Sequence, residues 1–170
     1  MDFDIYDADK GVNRSERDVR KKVMTHLVVS GGTNLASGLS LVSVVIDIER
    51  IGDYTKNIYD LAVHHPLRLE GGPVEEKLQN VEALVTSDFK SMIEVFKDRD
   101  EEKARLIMNN YKEGLSDACE EISNSILSGA VTGLNSSDAT AVSLYARFLK
   151  RIASHSRNIV TSVVNPFHRI

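Results

Sequence analysis

Glu49 and Asp53 stand four residues apart in a stretch of helical period, so both carboxylates project from one helix face, with Asn57 and Asp60 following one and two turns later. A row of oxygen ligands on a rigid helix is what a hard cation, or an iron or manganese centre, requires from one wall of its site. The same spacing also makes a solvated acidic face, which is the commoner use. Asp88 falls on an apolar stripe between Val85 and Met92, where a carboxylate needs a partner. Pairing with a Lys or Arg is the expectation there, and a third ligand beside Glu49 and Asp53 is the alternative.

A basic counterpart lies near the other end of the chain, where Arg147, Lys150, Arg151 and Ser154 share a helix face. These cations are candidate partner-binding residues. Their charge complements the acidic face, so pairing between the two, within the chain or between copies, is expected to set geometry more than stability, since an exposed pair contributes about 0 to 1 kcal/mol. Histidine adds little: His64 and His65 suit the negative end of a helix dipole, His155 reads as a packing or surface residue, and His26 and His168 show no ligand spacing. Cys119 reads as a core residue. A phosphate-cradling Gly-x-x-x-x-Gly-Lys loop, a His-Glu-x-x-His motif, a nucleophile elbow and the Glu-x-x-His pairs of di-iron bundles are all absent from the sequence, so an enzyme is not expected.

The elements that must position these residues are helices. Val19, Val23 and Leu27 trace a short first helix over residues 16–29, opened by Ser15 and closed by Gly31-Gly32. Thr33 or Asn34 caps a long second helix whose stripe runs from Leu35 to Leu61 and which stops before Pro66. After Gly71-Gly72, Pro73 suits a first helical position ahead of a third helix carrying Leu78, Val81, Val85, Met92 and Phe96. Ala104, Met108, Tyr111, Leu115, Cys119, Ile122 and Ile126 trace a fourth. Ser136 or Ser137 caps a fifth, lined by Val142, Leu149, Ile152 and Ile159 and ended by Pro166. Strand signals are missing, so the fold class is all-α, an antiparallel bundle of long helices crossing at about 20°. Residues 1–14 are expected to form an acidic, poorly ordered segment, and residues 15–170 the helical domain.

Composition agrees with one globular domain: 170 residues, 42% apolar and 27% charged. The net charge of −4 and the lack of Trp disfavour nucleic acid as a partner. The strongest apolar run, residues 41–48, contains Asp47 and is too short to span a bilayer. An acidic start where a secretion signal is basic, together with a single cysteine, points to the cytoplasm.

An internal comparison gives the most specific signal. Arg50-Ile51-Gly52-Asp53-Tyr54-Thr55-Lys56-Asn57-Ile58 returns 101 residues later as Arg151-Ile152-Ala153-Ser154-His155-Ser156-Arg157-Asn158-Ile159, identical at four of nine positions. Upstream, Leu41 corresponds to Val142, Val44 to Tyr145, Val45 to Ala146 and Ile48 to Leu149. The second and fifth helices therefore read as copies of one element.

The run Asp47-Ile48-Glu49-Arg50-Ile51-Gly52-Asp53-Tyr54, continuing to Asn57-Ile58, resembles the signature helix of the PhoU family of phosphate-uptake regulators, whose repeats each carry a Glu-x-x-x-Asp run. Residues 149–159 resemble the same signature in degraded form, and Met92 to Ala104, with Phe96 and Arg99-Asp100, resembles the family's linking helices. The resemblance implies two pseudo-repeated three-helix units, the first truncated, and a regulatory role. It further implies a phosphate transporter subunit or a sensor kinase as partner, with membrane association only through that partner. It also implies iron or another divalent or trivalent metal, with Glu49 and Asp53 as ligands. Lys150 and Ser154 replace the acids in the second copy, so that half is not expected to hold metal in the same way. A long second helix with one short companion should leave apolar surface uncovered, and a homo-oligomer, or docking onto a larger protein, is expected to cover it. Two alternatives stand beside this reading, the soluble PhoU-like tail of a sodium-phosphate cotransporter and a metal-binding or metal-storage bundle.

Overall fold

A computed structural model describes residues 3–65 and 67–165. Pro66, Pro166 and His168 lie outside the described residues. All regular structure among the described residues is helical: α1 (Ile5–Val29), α2 (Leu35–His64), α3 (Glu75–Asp98), α4 (Glu101–Asn110), α5 (Ser116–Leu127) and α6 (Ser136–Val164).

The first helix starts at Ile5 rather than at Ser15, so the expected acidic segment is, from residue 5 onward, helix. The cause is Asp4, whose side chain accepts hydrogen bonds from the backbone N–H groups of Tyr6 at 2.8 Å and Asp7 at 3.2 Å and so satisfies donors that a helix start leaves open. Gly31 and Gly32 then take positive φ values of +62° and +82° and reverse the chain. α1 and α2 form an antiparallel hairpin. At its closed end a Cβ on Gly38 would stand only 3.1 Å from Leu27, so the two helices approach closely where glycine permits it.

Asn34 precedes α2 in the left-handed conformation and makes no side-chain cap. α6 is capped by Asn135, one residue before the expected serines: it accepts from the Asp138 backbone N–H at 2.9 Å and donates to the Asp138 carboxylate at 2.7 Å. The expected fourth helix is broken. A wide turn at Tyr111–Leu115 separates α4 from α5, because Gly114 sits at φ +146° and interrupts the helical ladder.

α6 is the axis of the molecule. It packs against α2, α3, α4 and α5, whereas α2 packs chiefly against α1 and α6. Ile122, Ile159, Val95, Val142 and Val160 are fully enclosed around that axis. Leu149 is buried, but Ile48, its equivalent in the repeat, is exposed. Truncating Leu149 to Ala is therefore expected to cost about 2–5 kcal/mol through transfer and cavity terms, and Ile48→Ala about 1 kcal/mol or less. Urea unfolding of the two variants checks this difference.

Candidate functional site

The two copies of the repeated helix face each other. Asp47 Oδ1 on α2 lies 2.6 Å from His155 Nδ1 on α6 and accepts from Asn158 Nδ2 at 3.2 Å. Two helical turns along α2, Tyr54 stacks on His155 with ring centroids 5.9 Å apart and packs against Phe148 at 6.1 Å. Arg151 Nε donates to the Tyr54 hydroxyl at 3.1 Å, and its guanidinium lies 5.5 Å from the centre of that ring. His155 Nε2 lies 3.4 Å from Arg151 Nη2. This arrangement fits the tautomer in which His155 Nδ1–H donates to Asp47 and Nε2 accepts.

These contacts show how the copies are related. Shifting both members of the pair Asp47 and His155 by the repeat interval, forwards and backwards respectively, gives Phe148 and Tyr54, which are also in contact. α2 and α6 thus run antiparallel about a pseudo-twofold axis. His155 is a buried packing residue of that seam, and Asp47 is a partner that spacing alone did not single out. The usable signal was the equivalence of Tyr54 with His155, since equivalent residues near a twofold axis meet each other.

The acidic face of α2 turns toward α1. Lys56 Nζ lies 2.9 Å from Asp9 and 3.3 Å from Asp53 Oδ1, while Arg50 Nη1 lies 3.3 Å from Asp53 Oδ2. Arg50 also stands 3.6 Å from Glu49. Burial, followed by the neighbouring charge of Asp53, pushes the Glu49 carboxyl above its ordinary range, and the hydrogen bond to Asp9 raises Lys56. Asp60 accepts from the Tyr6 hydroxyl at 2.5 Å, pinning the start of α1 to the far end of α2. Asn57 shares this half-buried region.

Both oxygens of Asp53 are thus held by cations of the chain itself, and among the described residues no group of three or more His, Cys, Asp or Glu side chains is placed to hold a metal ion. The Lys56 ammonium bridges Asp53 of α2 and Asp9 of α1.

The basic face does not meet the acidic one. Lys150 pairs with Glu120 on α5 and Arg151 with Tyr54, leaving Arg147 exposed. Pairing within the chain between Lys150 or Arg151 and the pair Glu49 and Asp53 is thereby corrected: the antiparallel seam directs those side chains elsewhere. Asp88 is buried and accepts from Asn110 Nδ2 at 3.1 Å, so its partner is a neutral amide rather than a Lys or Arg. Burial raises its carboxyl above the ordinary value of 3.8 despite that hydrogen bond. His64 Nδ1 lies 2.7 Å from the Asp60 carbonyl of its own helix, and His65 Nε2 lies 2.8 Å from Asp138 at the start of α6. Cys119 is buried, which pushes its thiol up to about 11.

The sequence model of the PhoU domain matches residues 3–62, spanning α1 and nearly all of α2, and residues 78–163, spanning most of α3 through α6. The chain belongs to the PhoU family, a family of regulatory rather than catalytic proteins tied to phosphate homeostasis. A search among curated proteins gives no match. Among the described residues no helix is long and apolar enough to cross a membrane.

Two outcomes follow from the site. Asp47→Ala leaves the donors of His155 and Asn158 facing an empty acceptor position and is expected to cost about 1–3 kcal/mol, with Asp47→Asn milder; chemical denaturation of the two variants measures it. Asp88→Asn is expected to stabilise the fold at neutral pH. A raised native pKa means that the charged form of Asp88 opposes folding above that value, and the penalty disappears once the group is protonated in both states below 3.8. Unfolding curves for Asp88→Asn and the parent chain should therefore converge as pH falls through the acid range.

Proposed function

We propose that this chain is a regulatory adaptor of phosphate homeostasis that acts on the cytoplasmic side by docking onto a phosphate transporter subunit or onto the sensor kinase of phosphate genes. The observation that carries the reading is the family match over both repeats. The geometry supports it. The seam of Asp47, Tyr54, Arg151, His155 and Asn158 fixes α2 against α6, and the acids of the signature helix are neutralised by Lys56 and Arg50. Such a module offers stiff helical surfaces to a partner, and its work is binding.

The test is genetic and biochemical together. Deleting the gene is expected to uncouple a phosphate-starvation reporter from external phosphate, with the intact gene restoring the response, and the purified chain is expected to bind the purified transporter ATPase subunit or the kinase. A reporter that responds normally in the deletion strain refutes the regulatory role. The two-helix first repeat favours one second reading, the tail of a sodium-phosphate cotransporter, and a membrane-spanning region encoded in the same gene would decide for it.

A further inference from the structure

Three of the described histidines face oxygen acceptors, and the second ring nitrogen tells them apart. His155 gives Nδ1–H to Asp47 and turns Nε2 toward the Arg151 guanidinium, a donor, so its ring needs one proton. His64 bonds through Nδ1 to the Asp60 carbonyl of its own helix and is otherwise exposed. His65 differs from both. Its Nε2 lies 2.8 Å from Asp138 Oδ1, and its Nδ1 lies 3.2 Å from the Leu67 carbonyl oxygen. A carbonyl cannot donate, and neither can an ionised carboxylate, whose other oxygen here accepts from Asn135 Nδ2 at 2.7 Å. Two acceptors require two N–H groups, and only the imidazolium carries both.

The place of this ring in the fold gives the second proton a structural task. His65 directly follows α2, and Asp138 lies in the first turn of α6. Because the two helices run antiparallel, the contact joins the end of one copy of the repeat to the beginning of the other. It stands about 27 Å along α2 from the Asp47 seam, at 1.5 Å per residue. Behind the ring, Ile58, Leu61, Leu69 and Tyr145 line a cleft of about 300 Å³ between α2, α3 and α6, so apolar packing alone does not close this end of the bundle. The titratable surroundings are few. His65 is the cation paired with Asp138 among the described residues. Glu82 of α3 and Tyr145 of α6 line the cleft. On α2 itself Asp60 is engaged by the Tyr6 hydroxyl, and Arg68 and Glu70 of the following connection are exposed.

We infer that His65 is held as an imidazolium and that its second proton clasps the end of α2 to the first turn of α6, a hold that loosens when the proton leaves. The bond to Asp138 raises the ring above its ordinary 6.5, against the opposing pull of burial, and the Leu67 carbonyl adds to the rise. With a raised value in the folded chain, the contribution of the clasp is complete below 6.5 and is lost as pH climbs through the raised value. The bundle therefore holds this end most firmly in mildly acid solution and frees it toward alkaline pH. The clasp needs only these two helix ends and stands whether or not the chain is an adaptor.

The experiment titrates the whole isotope-labelled chain from about pH 5 to about pH 9 while NMR reads the histidine ring nitrogens, with His65→Gln identifying the His65 signals. Both ring nitrogens of His65 are expected to be protonated at neutral pH, with a midpoint above 6.5. Asp138→Asn is expected to lower that midpoint by about one unit, a tenfold fall in proton affinity. Hydrogen exchange supplies the second reading. The Ala139 amide bonds to the Asn135 carbonyl at the start of α6, and the His65 amide to the Leu61 carbonyl at the end of α2. Protection of the Ala139 amide, corrected for intrinsic exchange, is expected to fall severalfold across the His65 midpoint, and this step is expected to vanish in His65→Gln and to persist in His64→Gln. A ring that is neutral at neutral pH, or a midpoint that Asp138→Asn does not move, overturns the inference. So does amide protection that shows no step at the His65 midpoint, since the ring would then be charged without holding the helix ends. Thermal unfolding checks that the variants remain folded, and the titration of the parent chain decides the charge of the ring by itself.

Discussion

The bundle depends on one polar seam between α2 and α6. Asp47 cannot be enclosed between two helices without donors, and His155 and Asn158 provide them from the opposite side. That requirement fixes both the register and the rotation of α2 against α6, because sliding either helix by a turn would leave a half-buried carboxylate, an imidazole and an amide unmatched. Tyr54 and Arg151 complete the lock with a stacked ring and a guanidinium that serves as hydrogen-bond donor and ring partner at once. Apolar packing alone would tolerate several registers; the seam selects one.

Around that seam the two halves have diverged in charge and in cover. The acidic copy is folded in toward α1, where Asp9, Lys56 and Tyr6 tie the hairpin together. The basic copy spreads outward, Lys150 to α5 and Arg151 across the seam to Tyr54. One ancestral face thus serves two structural purposes. Lys56 holds Asp9 and Asp53 at close range and so compensates the carboxylates that the α1–α2 hairpin brings together.

Much of this was legible in the sequence. The long second and last helices, the third helix behind Pro73 and the repeat itself follow from apolar period and from glycine and proline punctuation. The N-terminal extension of α1 did not, because residues 5–14 carry few apolar side chains and their helix is held by Asp4 and by the long-range ties to Asp60 and Lys56. The neutral partner of Asp88 was equally hidden, since Asn110 belongs to no apolar stripe. The spacing leaves His155 open between packing and surface, and its bond to Asp47 depends on how two helices rotate against each other, which one-dimensional spacing does not record.

The interruption between α4 and α5 gives the second half of the bundle its curvature. A Cβ at Gly114 would meet open space, so crowding is not what calls for glycine; the φ of +146° is. The bend divides one rod into two levers that both lie against α6, and the Arg157 guanidinium, 4.9 Å from the Tyr111 ring, fastens the elbow to that helix. The shape of this flank is therefore written into a single peptide unit.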